Sequence, residues 1–186
     1  MKEETRFLGI YNVPFTTRTT EGNKIRKNKT SIIGAVTRGG DSLEGVMSTE
    51  ITIDGSDSTD QIIKMINESR YKSQIQGIFL NGISIGGLNL INIQKVFRET
   101  GIPTIIIMRK PTSGKLTETL TKLNLTDKIP ILESAGGIFH FRHTFYQVAG
   151  ILPHKVEEML NLTRTNSMTM PEPLRLAKII SSGINH

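Results

Sequence analysis

The sequence predicts an α/β fold: a mixed sheet, with a three-strand antiparallel meander and then parallel strands, carrying helices on both faces. Three observations predict it. Up to residue 53 the chain holds strand-like stretches and no helical segment. From residue 58 the apolar spacing changes to that of a helix. Helical segments then alternate with short, wholly apolar runs of the kind that form buried parallel strands. The 186 residues are read as one domain, 1–186, long enough for a substantial core.

The elements follow in order. Residues 6 to 13, RFLGIYNV, and 30 to 38, TSIIGAVTR, are the first two strands. Residues 45 to 53, GVMSTEITI, are the third, with Val46, Ile51 and Ile53 set among Ser and Thr. The turn-rich GGDSLEG makes the last connection a tight one. Residues 58 to 70 form a helix with Ile62, Met65 and Ile66 on one face and a capping box of Ser58 and Gln61. QIQGIFL (74 to 80) and IPTIIIM (102 to 108) are buried strands. Between them, residues 88 to 100 place Leu90, Ile93 and Phe97 at helical spacing, and Gly101 and Pro103 end the helix. Strand, helix, strand gives a parallel pair with a right-handed crossover. Residues 114 to 124, 153 to 162 and 171 to 184 are further helices, the last with Pro173 in its first turn. Residues 138 to 151 are a strand followed by a turn, and TRTNSMTM is a polar linker. This element order occurs in the ribonuclease-H-like fold, an analogy that assigns no function.

Composition narrows the chemistry. Hydrophobic residues are 37% and mean hydropathy is -0.17, values of a soluble globular protein. No apolar run reaches the roughly 18 residues of a membrane span, and MKEETRF does not open a signal peptide, so a cytoplasmic location is expected. The absence of cysteine excludes disulfides, thiolate nucleophiles and Cys-ligated metals. A net charge of +6 and a pI near 9.7 favour a polyanion partner such as nucleic acid, DNA before RNA; a basic domain with solvated loops fits the charge equally. The basic residues cluster at 18 to 29 and 108 to 115. An oligomer is compatible with the sequence.

Two readings compete for the loop after the central strand, LNGISIGG. Gly82, Ser84 and Gly86 spell G-x-S-x-G, a nucleophile-elbow pattern, and Asp127 with His140, His143, His154 and His186 follow in hydrolase order. The same glycines also suit an ordinary turn, and the helix starts too late for an elbow. In the second reading Asn81 matters, because sites gather where central parallel strands end. Tyr11 and Asn12 end the first strand; Asp54 and Asp57 follow the third. Carboxylates at such places hold Mg²⁺, which activates water and steadies a leaving oxyanion. Each residue has a structural alternative. Asp57 caps the helix at 58, Asp54-Gly55 and Asn81-Gly82 are turn pairs, Asn89 is an N-cap, and Asn92 lies on a polar helix face. Arg109, Lys110 and Lys115 follow a buried strand and suit phosphate contact or a solvated loop. A lone His143 reads as exposed or structural, and Arg175 as the partner of Glu172.

RFLGIYNVPF, SIIGAVTRGG, the long stretch from ITIDGSDST to INI, TGIPTIIIMRKP and MPEPLRLAKIISSGI together resemble the archaeal endonuclease dU family, relatives of endonuclease V. The resemblance covers nearly the whole chain. It implies a ribonuclease-H-like fold and Mg²⁺- or Mn²⁺-dependent cleavage of a phosphodiester near a deaminated base. It also implies acidic residues where this chain has Tyr11, Asn12, Asn81 and Asn92, whereas Asp54 and Asp57 match. Asn keeps the size of Asp without its charge, and a phenol is neutral at pH 7. The expectation is a degenerate member that binds nucleic acid, with metal-dependent cleavage weak or lost. An active endonuclease on deaminated DNA, using Asp54, Asp57 and Glu50, and a serine hydrolase using Ser84 are the alternatives.

Overall fold

In the computed structural model, which describes residues 4–15, 28–111, 114–164 and 170–184, β1 (Arg6–Asn12), β2 (Lys29–Arg38) and β3 (Ser42–Thr52) form the expected antiparallel meander. After α1 (Ser58–Asn67), β4 (Ile75–Asn81) pairs parallel to β1. A two-stranded hairpin, β5 (Ser84–Ile85) and β6 (Asn89–Leu90), leads into α2 (Ile93–Thr100), and β7 (Thr104–Met108) pairs parallel to β4. Then come α3 (Lys115–Lys122), a short 3-10 turn (Thr126–Lys128) and α4 (Ile129–Ser134). The hairpin of β8 (Phe139–Phe141) and β9 (Thr144–Ala149) precedes α5 (Pro153–Thr163) and α6 (Glu172–Ser182). Because β9 runs antiparallel to β7, the sheet is mixed, with the order β3-β2-β1-β4-β7-β9-β8.

Strand alternation divides the core between two faces. Leu8, Ile10, Ile78, Leu80 and Ile106 pack with Ile62 and Ile66 of α1 and Ile93 and Val96 of α2. Their sequence neighbours Phe7, Phe79, Ile105 and Ile107 face the other way, onto Val156, Met159 and Leu160 of α5 and Leu174 of α6. The helices lie on both faces, as expected. At Gly9 a Cβ would stand 2.2 Å from the Pro173 carbonyl carbon, so glycine lets the start of α6 rest on β1.

Several local expectations are corrected. Ser58 and Gln61 make no capping box: Asp57 is the N-cap residue without a side-chain cap, and the Gln61 carbonyl accepts from Thr49 Oγ1 at 3.3 Å. The Ser58 N–H donates instead to Asn89 Oδ1 at 3.1 Å, a cap supplied from β6. Residues 88 to 92 are not helical, because Asn89 and Leu90 pair with Ile85 and Ser84. Asn92, expected on a helix face, is the N-cap of α2, accepting from the Lys95 N–H at 2.9 Å. Asn89, expected as that cap, is buried in the hairpin. Residues 138 to 151 are a hairpin rather than one strand and a turn, and α4 was unforeseen. Gly101 ends α2 in the left-handed region, with φ 75, as expected. Arg175 pairs with Glu172, also as expected.

Candidate functional site

The sheet topology decides which loops can meet. β3, β1, β4 and β7 all run the same way, so Asp54, Asn12, Asn81 and Arg109 come out at one edge of the sheet. Open α/β sheets place their sites at such an edge. The adjacent parallel strands β1 and β4 hold Tyr11, Asn12, Asn81 and Gly82 around one small pocket, closed on its far side by Ser84 and Ile91. Its volume is about 10 Å³, the room of a single water. A nucleobase does not enter it as it stands.

The residues around this pocket carry a phenol, two amides and a hydroxyl, and the Tyr11 ring itself packs on the opposite face of the sheet, with the Phe7 and Phe79 cluster. Asn12 Nδ2 is turned to its own chain, donating to the Val13 carbonyl at 3.1 Å. Mg²⁺ and Mn²⁺ sites draw their affinity from carboxylate charge, and none lines this pocket. Among the described residues no three Asp, Glu or His side chains converge. The donor set does not fit a divalent ion.

Asp54 and Asp57 stand beside the pocket and are engaged in structure. Both Asp57 oxygens accept from the Thr52 N–H, at 3.0 and 3.2 Å; Oδ2 also accepts from Thr52 Oγ1 at 2.8 Å and Oδ1 from Asn89 Nδ2 at 2.7 Å. Burial pushes its pKa up, but hydrogen bonds from the Thr52 N–H, the Asn89 amide and the Thr52 hydroxyl outweigh it and hold the carboxyl below its ordinary value. Asp54 adopts φ 55, and its Oδ1 accepts from the Leu88 N–H at 2.8 Å. Gly87 (φ 84) permits this approach, since a Cβ there would lie 2.2 Å from that same oxygen.

A residue missed from the sequence ties these loops together. Lys128 is 4% exposed, and its Nζ donates to the carbonyls of Asp54 (3.0 Å), Gly55 (2.7 Å) and Leu88 (2.7 Å). An ammonium has three N–H donors, and all three are used. It thus joins the loop after β3 to the loop before β6. Nothing in TDKIP, a polar turn by composition, distinguishes this lysine from a solvated one.

The other expected residues are scattered. Asn92 caps α2 rather than lining the pocket. Glu50 is exposed on β3. Arg109 and Lys110 are exposed where β7 ends, and Lys115 is exposed at the first turn of α3. Ser84 is half-buried in β5, and the next helix starts only at Ile93, so no elbow forms. Among the described residues no histidine hydrogen-bonds it; His140 stacks on Phe145, 4.6 Å between centroids, and His143 is exposed in the β8–β9 turn. His186 and most of the basic stretch at 18 to 29 lie outside the described residues.

The family model described as endonuclease dU matches residues 3–185. The chain belongs to the endonuclease dU family. A UPF0215 protein of Archaeoglobus fulgidus is 39% identical over 183 residues, covering 97% of this chain and 94% of its own. The crystal structure of a protein of unknown function from the same organism superposes with a TM-score of 0.84 at 35% identity, over 98% of this chain and 99% of that one. Endonuclease V of Ciona intestinalis, solved in complex with a 24mer DNA containing an inosine followed by a ribo-adenosine, superposes with a TM-score of 0.54 at 11% identity, over 95% and 84% of the two chains. This endonuclease dU domain therefore has the ribonuclease-H-like fold of endonuclease V. No helix among its described residues is long and apolar enough to cross a membrane.

Proposed function

We propose that this endonuclease dU family member binds nucleic acid, DNA in preference to RNA, along the edge where β1, β4 and β7 end, and that its metal-dependent cleavage is lost. One observation carries the reading: the two central strand ends that meet in the pocket present Tyr11, Asn12 and Asn81, all uncharged side chains. Asp54 and Asp57 hold loops, and Asn92 caps a helix. The net charge of +6 and the exposed Arg109, Lys110 and Lys115 supply attraction for phosphates. The DNA complex of endonuclease V, a protein of the same fold, adds support by analogy.

The test is paired. A labelled duplex carrying uracil or inosine is retained by the protein at low salt, and retention weakens when Lys110 and Lys115 are both changed to Glu. With Mg²⁺ or Mn²⁺ present, the same duplex stays intact. Divalent-dependent nicking that disappears in Asp54→Ala would establish the active endonuclease in place of this reading.

A further inference from the structure

Arg142 of the β8–β9 turn and Arg164, the residue that ends α5, meet at one aromatic ring. Arg142 Cζ lies 5.2 Å from the centroid of the Phe141 ring, and Arg164 Cζ lies 5.8 Å from the same centroid. Two cations thus share one aromatic ring. No salt bridge reaches either among the described residues, and the segment after Arg164, TNSMT, contains no acid. Arg164 donates through Nη2 to Thr144 Oγ1, while its Nε is buried and has no partner among the described residues. A buried donor left unpaired is costly and rare. Burial, and then the nearby Arg142 charge, lowers the pKa of Arg164.

The turn itself is strained. Phe141 pairs with Thr144, so Arg142 and His143 make the turn, and Arg142 carries φ 53. A two-residue hairpin loop demands a positive φ at its first position, so the turn itself imposes this conformation on Arg142. Met108 pairs with Phe145, so Arg109, one residue on, comes out beside Thr144, the partner of Arg164. Three strand spacings, roughly 14 Å, separate β8 from β4 and the Asn81 pocket.

We propose that Arg142 and Arg164, both in contact with the Phe141 ring, together with Arg109 at the neighbouring strand end, form a subsite for a backbone phosphate of a nucleic-acid strand laid along this edge. It rests on the nucleic-acid reading and adds a contact region to it. The phosphate neutralises two cations that the fold brings together without a carboxylate.

The test uses the full chain and measures oligonucleotide affinity against salt. Glycine accepts a positive φ, so Arg142→Gly removes charge while relieving strain, and its Tm is equal to or above that of wild type. Its slope of log affinity against log salt falls by about 0.9 on a duplex, or about 0.7 on a single strand. Arg164→Gln flattens the slope likewise. If wild type binds and neither variant changes the slope, the subsite is wrong while the nucleic-acid reading stands. If inorganic phosphate at matched ionic strength stabilises wild type and not Arg142→Gly, yet the oligonucleotide slope is unmoved, the site takes a free anion and the backbone assignment fails. A wild type that retains no oligonucleotide at low salt overturns both readings.

Discussion

At the scale of single residues, the carboxylates of this edge are occupied by the protein itself. Asp57 accepts from Thr52 and Asn89 and so fixes the turn between β3 and α1. Its lowered pKa gives a pH dependence with a definite sign. The folded state holds its charge more readily than the unfolded chain, so this stabilisation is complete above the unfolded value, near about 4, and is lost as pH falls through the folded one. In Asp57→Asn the amide nitrogen confronts N–H donors, and stability at pH 7 falls by about 2 kcal/mol. Acid titration of unfolding free energy then loses the part of its slope below about pH 4 that wild type shows; an unchanged slope would mean that Asp57 carries none of it. Lys128 answers to the same logic. Lys128→Met fills much of the space but leaves the carbonyls of Asp54, Gly55 and Leu88 without their donor. We expect a loss of about 3 kcal/mol, read as a Tm lower by roughly 6 to 12 °C. A Tm within one degree of wild type would remove Lys128 from its place as the tie between these loops.

At the scale of elements, the contact between α6 and β1 is the least forgiving. Gly9→Ala drives a methyl into the backbone of Pro173 and Leu174, atoms that cannot rotate away. Its cost is about 3 kcal/mol. Gly77→Ala is the control: its methyl meets flexible Met159 Sδ at 3.1 Å and costs at most about 1 kcal/mol. Equal melting points for the two variants would show that α6 shifts freely. The same scale explains what the sequence could and could not reveal. β4 and β7 were legible because a strand buried on both sides must be apolar throughout, and IQGIFLN and TIIIM nearly are. The hairpin of β5 and β6 was illegible because Leu90, Ile93 and Phe97 also satisfy a helical period. The pairing with β5 and the tertiary bonds of Asn89 to Thr52, Asp57 and Ser58 hold the chain extended there. Asn12 and Asn81 could be grouped because each ends a strand where sites gather, and the parallel pairing of β1 with β4 sets them at neighbouring strand ends. Lys128 and Arg164 could not, because their partners are remote or come from another element, and local composition is silent about such pairings.

At the scale of the whole molecule, the proposed function keeps the scaffold of a metal-dependent nuclease without its chemistry. An edge that in a metal-dependent nuclease would gather negative charge here gathers amides, structural carboxylates and basic side chains. The difference is reversible in principle by sequence alone. In the triple variant Tyr11→Asp, Asn12→Asp, Asn81→Asp, three carboxylates are added at the two neighbouring strand ends that border the pocket. Without metal they repel, and the variant melts below wild type. With Mn²⁺ at about a hundredfold excess over its dissociation constant, it regains roughly 2.7 kcal/mol. Wild type, with no such carboxylates, shows no Mn²⁺-dependent rise in melting point. A rise in wild type equal to that of the variant would refute the assignment of this pocket as one without metal affinity.

The seat of α6 on Gly9 also bears on how the protein is made. The residues that cover β1 at Gly9, Pro173 and Leu174, are translated long after β1 itself. Until then Phe7 and Phe79 have part of their cover missing. The nascent chain therefore carries an open aromatic face until α6 is made, and that helix acts as the latch that shuts it.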